Sequence, residues 1–111
     1  MKTIDVGKEF YPRLANRDRF QGDGKHTAGE FREKYLSGID NDDAWKRSDK
    51  FIVLDFSNVT KIGPSFANEA FAYFTKYAKP EEILRKIEII NASEVQRSII
   101  EEELRAGFSR L

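Results

Sequence analysis

Cysteine is absent from this chain, which excludes structural disulfides and a thiolate zinc site. Histidine occurs once, at His26, and neither Glu30 nor Asp23 stands at a ligand spacing from a second imidazole or thiol. No bound metal is expected. An excess of either charge is also missing. Nineteen basic residues balance nineteen acidic ones, so the electrostatic footprint of a nucleic-acid or anionic-membrane binder is lacking. No apolar run approaches the roughly 18 residues of a membrane span. The first residues, Met1-Lys2-Thr3-Ile4-Asp5, show no apolar leader, and a cytoplasmic protein is the expectation. Phosphate-cradling loops are missing too, because Gly22-Asp23-Gly24 reads as a turn with no Lys-Ser/Thr pair behind it. No cofactor is implied.

What remains is a 111-residue chain, 40% hydrophobic and 34% charged, long enough for a single domain around one core. Thr3–Val6 alternates and reads as a first strand. Lys8 to Lys25 is irregular, with Pro12, Asn16 and the 22–24 turn, and a short strand is expected near Arg17 to Gln21. Thr27 and Glu30 fit a capping box that opens an amphipathic helix over 28–39, carrying Phe31, Tyr35, Leu36 and Ile39. Residues 40–50 read as a polar loop or a single helical turn. Phe51 to Phe56 is a nearly continuous apolar run, the pattern of a buried strand.

A helix with Phe66, Ala67, Ala70, Phe71, Phe74 and Ala78 on one stripe follows, running up to Pro80. After a short turn at 81–86, Ile87–Ile90 is a second buried strand. Ser93 and Gln96 form another capping box, opening a helix with Val95, Ile99, Leu104 and Phe108 along one face. Strands alternating with helices imply an α/β domain, with the strands at 51–56 and 87–90 parallel and adjacent.

Few residues are arranged for chemistry. Asp40, Asp42 and Asp43 lack the glycine and distal glutamate of a calcium loop and read as a solvated acidic loop. His26 could serve Ser57 or Ser65 as a base, but neither serine sits in a nucleophile elbow. An enzyme would need Asp55, His26 and Glu30 in one cleft. Asp55, ending its strand, suits an Asx-type bond to the amides of Ser57 or Asn58. Its other role would be ordering the loop that presents Ser65, or helping deliver phosphate to it. Glu69 is charged on an apolar helix, and solvent, the helix dipole or a partner would each explain it. Ser65 follows Gly63 and Pro64 at a helix start. It suits a structural cap, and the same place also suits phosphoserine, which the helix dipole and free N–H groups favour.

These residues resemble a known family. Leu54-Asp55-Phe56-Ser57-Asn58-Val59 with Ile62-Gly63-Pro64-Ser65 resembles the Asp-hydrophobic-Ser-x-Val-x-x-Ile-Asp-Ser-Ser-Gly segment of STAS domains, the anti-sigma-factor antagonists. Thr27-Ala28-Gly29-Glu30 leading to Arg32, together with Ser65-Phe66-Ala67-Asn68-Glu69-Ala70-Phe71, is similar to the bacterial STAS-like group of unknown function. The resemblance implies a small mixed sheet with helices packed mainly on one face. It aligns Ser65 with the serine that GHKL-type kinases phosphorylate, and it implies a GHKL-type (histidine-kinase-like) ATPase or an anti-sigma factor as partner. Gly63, Pro64 and Phe66 stand where the family motif has Asp, Ser and Gly. A ring at 66 would either obstruct a kinase or serve as a docking knob.

The expectation is therefore a non-enzymatic regulatory module. Asp55, Gly63, Pro64, Ser65, Phe66 and Glu69 would form its contact surface, and phosphorylation of Ser65 would break the contact. The alternative is a self-assembling scaffold without phosphorylation, with Phe66 and Phe71 exposed in a homotypic interface.

Overall fold

A computed structural model describes residues 2–17 and 25–110. Its elements are, in chain order, β1 (Lys2–Asp5), α1 (Val6–Glu9), β2 (Arg13–Leu14), α2 (Ala28–Tyr35), β3 (Ile52–Asp55), β4 (Lys61–Ile62), α3 (Pro64–Ala70), α4 (Pro80–Lys86), β5 (Ile87–Ile90) and α5 (Glu94–Ser109). Short 3-10 helices at Ser37–Ile39, Asp43–Lys46 and Ala72–Lys76 lie between them. The strand expected at 17–21, apart from Arg17, and the turn at 22–24 lie outside the described residues.

The main sheet has the order β1-β3-β5, with the long apolar run in the middle. Ile52 pairs with Ile87 and Leu54 with Ile89, so the two buried strands are parallel neighbours as expected. Every described pairing is parallel, including the small β2–β4 sheet, where a mixed sheet was expected. Side chains alternate across a strand, which sorts the registered rows onto two faces. Ile4, Leu54 and Ile89 share one row and belong to the core, together with Ile52 and Ile87. Thr3, Val53 and Glu88 share the row on the opposite face, and Val53 lies outside that core. Helices therefore cover the aliphatic face, where Phe31, Phe66, Phe71 and Phe74 fill the space with almost no exposure.

Four element boundaries differ from the sequence pattern, each for a local reason. Val6 leaves the first strand because Asp5 caps a helix there, its Oδ1 accepting from Lys8 N at 3.1 Å. The helix expected over 28–39 ends at Tyr35 and continues as a 3-10 turn that still buries Leu36 and Ile39. The helix expected to run to Ala78 breaks after Ala70. There the Thr75 hydroxyl donates to the Ala72 carbonyl at 2.7 Å, a local bond that competes with the α-helical ladder. Gly107 of α5 also presses against this segment, since a Cβ at that position would meet the Ala72 Cβ at 2.9 Å. Pro80 then serves as the first residue of a two-turn α4, where its missing N–H costs nothing.

The capping box expected at Ser93 forms in full, and the one expected at Thr27 forms in its threonine half. Ser93 and Gln96 bond each other's backbone at 3.1 and 2.9 Å, and Thr27 accepts from Glu30 N at 3.2 Å. The buried face of α5, however, is Gln96, Ile100 and Leu104, while Val95 is 69% exposed and Phe108 39% exposed.

Candidate functional site

The turn into α3 is fixed from both sides. Gly63 donates its N–H to the Leu14 carbonyl at 2.9 Å, which ties the turn to β2. Asp55 holds the preceding loop from the end of β3. Its Oδ1 accepts from Ser57 N at 2.9 Å, from the Ser57 hydroxyl at 2.8 Å and from Asn91 Nδ2 at 3.0 Å. These bonds stabilise the ionised form, the Ser57 amide foremost, and hold the carboxyl below its usual range. The Asx-type bond expected of Asp55 is thus present. Further along the same loop, buried Gln96 donates to the Val59 carbonyl at 3.2 Å.

Gly63, in extended conformation, is the N-cap of α3, and Pro64 is its first residue. Ser65 is therefore not the cap. It stands one residue past Pro64, exposed, and no side chain caps this helix. The first amides of a helix have no intrahelical partner, and of this turn only Pro64 and Ser65 are exposed, Phe66 being buried.

The next residues turn inward. Phe66 is fully buried, with ring centroids 5.8 Å from Phe31 and 6.4 Å from Phe10. It is neither a docking knob nor an obstacle, and it is removed from the expected contact surface. Phe71 is equally buried, which also removes the homotypic interface expected around Phe66 and Phe71. The apolar stripe that included both rings already implied this. Glu69 is engaged inside the molecule. It accepts from Arg32 Nη1 at 2.8 Å and from Arg17 Nε at 3.3 Å, and the same Arg32 nitrogen donates to the Glu69 carbonyl. Glu69 thus ties α3 to α2, and partner contact is not its visible role.

Sequence reasoning missed the network beyond Arg32. Its guanidinium lies 3.8 Å from the centre of the Tyr73 ring, and Lys76 Nζ lies at the same distance from that ring. Tyr73 and Tyr77 donate their hydroxyls to the two Asp40 oxygens at 2.8 and 2.7 Å. Partial burial raises the Asp40 carboxyl, but the Tyr77 and Tyr73 bonds with Lys76 and Arg32 outweigh it and leave it below the usual range. Its bond to Asp40 pushes the Tyr77 phenol up to about 12. Asp40 stays exposed, as expected of the acidic loop at 40–43, but carries these two tyrosine bonds, while Asp43 pairs with nearby Lys46 at 3.1 Å. The available signal was the four-residue spacing of Tyr73 and Tyr77, one helical turn.

Among the described residues, no hydrogen bond or ion pair joins His26, Glu30 and Asp55 to one another. His26, with φ 61°, stacks on Tyr11 at 4.1 Å and meets the edge of Phe10, while Asp55 binds Ser57 and Asn91. Among the described residues no three His, Asp or Glu side chains gather into a metal-holding group. No described helix is long and apolar enough to cross a membrane.

The family model for a STAS-like domain of unknown function (DUF4325) matches residues 30–97, more than half of the chain. The chain belongs to this family. The matched STAS-like region contains Asp55, the Gly63–Pro64–Ser65 turn, all of α3 and the Arg32–Glu69 pair. No curated protein and no solved structure matches the chain.

Proposed function

We propose that this STAS-like domain is a non-enzymatic regulatory module that binds a GHKL-type ATPase or serine kinase through the turn at Gly63–Pro64–Ser65. The observation that carries this reading is the exposed Ser65 in an uncapped first helical turn that is tied to β2 by the Gly63–Leu14 backbone bond. Pro64 is exposed beside it, and together they form a small surface anchored by Gly63 N–H on Leu14 and by the Asp55-braced loop. A rigid turn loses little conformational freedom on docking, which favours recognition.

A phosphate on Ser65 would lie beside the Ser65 amide at the positive end of the helix dipole. The folded state would accept the modification, and a partner seated on Pro64 and Ser65 would meet two new negative charges. Binding would then be lost through repulsion and desolvation rather than through unfolding. The contact surface is correspondingly narrower than the sequence suggested. Pro64 and Ser65 are its exposed centre, Gly63 and Asp55 shape it, and Phe66 and Glu69 hold it from within.

The test is to incubate the protein with a candidate GHKL-type ATPase and ATP, then map phosphate by mass spectrometry and follow binding by calorimetry. Phosphate on Ser65, with Ser65→Asp weakening the complex at least tenfold and Ser65→Ala retaining it, supports the reading. A partner that binds Ser65→Asp and the native protein equally overturns the switch.

A further inference from the structure

Helix α5 borders a groove that continues to the outer edge of β5, the last strand of its sheet. Two adjoining hollows of about 300 and 180 Å³ make up the groove, and both are lined by Leu84 and Glu101. Leu84, Ile89 and Ile100 give it an apolar floor. Along the α5 wall stand Arg97, which also donates to the Ile89 carbonyl at 2.9 Å, Glu101 and Arg105, with Glu94 just beyond the hollows, and all four are exposed. Their spacing of three or four residues places them in one line on the helix, with alternating sign. None of the ion pairs among the described residues involves these four, although Arg97 and Glu101, like Glu101 and Arg105, stand four residues apart. Phe108, 39% exposed, falls on the same line seven residues beyond Glu101.

We propose that the groove seats a second copy of this chain, with the two α5 helices antiparallel about a two-fold axis level with Ile99. Reversing the order minus, plus, minus, plus gives plus, minus, plus, minus. In that arrangement Glu94 faces Arg105 of the second copy and Arg97 faces its Glu101, and symmetry makes each pair occur twice. A partner of one charge would meet like charges at every second position, so the alternation favours the chain itself. At a rise of 1.5 Å per residue, Phe108 lies roughly 13 Å from the axis, past the start of the neighbouring α5. Its ring then comes over the β5 end of the other groove, where Ile89 and Ile90 offer apolar surface. This interface uses no residue of the Pro64–Ser65 turn and stands or falls separately from it.

Analytical ultracentrifugation of the full chain tests the arrangement, with circular dichroism melting as the control for folding. The native chain is expected to dimerise in a concentration-dependent way below the order of 0.1 mM. Arg105→Glu creates two like-charged pairs and is expected to raise the dissociation constant about tenfold, as is Phe108→Ala. The double variant Glu94→Arg/Arg105→Glu keeps the pattern self-complementary and is expected to return within about threefold of the native value. A native chain that stays monomeric at that concentration overturns the proposal. So does a dimer indifferent to Arg105→Glu, or a folded double variant that fails to recover.

Discussion

Two helices of this protein begin beside a serine, and the two serines behave in opposite ways. At α5, Ser93 occupies the N-cap and its oxygen accepts from Gln96 N, while the Gln96 side chain returns to the Ser93 amide. At α3, Ser65 sits two residues further in, because Gly63 takes the cap and Pro64 the first helical position. A side chain at the cap points back over the exposed amides, whereas one inside the first turn points away from the axis. The offset of two residues turns a structural serine into an accessible one. It also means that α3 must be held by something other than a cap.

Packing is what holds it, and the largest test of the contrast is Phe66→Ala. This change empties an aromatic site beside Phe31 and Phe10 and is expected to cost about 3–5 kcal/mol in urea unfolding. A loss comparable to that of a removed cap would show that α3 is held elsewhere. Next comes Arg32→Ala, which removes the strut from α2 to the Glu69 carbonyl and carboxylate. It is expected to cost about 2 kcal/mol, the range for hydrogen bonds to a charged, partly buried group.

Ser93→Ala should cost about 1 kcal/mol, the usual effect of removing a cap. Ser65→Ala should change stability by less than about 0.5 kcal/mol, as for an exposed residue with no bonded role. Equal effects of the two serine substitutions in thermal and urea melts would erase the distinction drawn between them.

Much of the architecture was legible in the sequence because it rests on local patterns. Ile52–Asp55 and Ile87–Ile90 are short apolar runs flanked by polar residues, and both are strands at almost the expected limits. The Ser93–Gln96 box was legible because its spacing carries its mechanism. The first turn of α3 was placed two residues out because Ser65 drew the cap, although a proline at the first helical position points to Gly63. The break after Ala70 was illegible for a different reason. It depends on Thr75 bonding Ala72 and on the approach of Gly107, and the latter contact joins distant parts of the chain. Glu69 is of the same kind, since its partners Arg17 and Arg32 lie far earlier in the chain and only the fold brings them together.

The parallel sheet has a consequence for how the chain reaches this fold during synthesis. β1 is made before β3, yet its only described pairing in the sheet is with β3, Lys2 opposite Ile52. The third strand follows later still, with Ile87. Parallel neighbours cannot close through a tight hairpin, so each pairing waits on a long loop. β1 must therefore remain unpaired while the ribosome adds the stretch from Lys2 to Ile52. The central strand is the element whose arrival decides when that exposure ends.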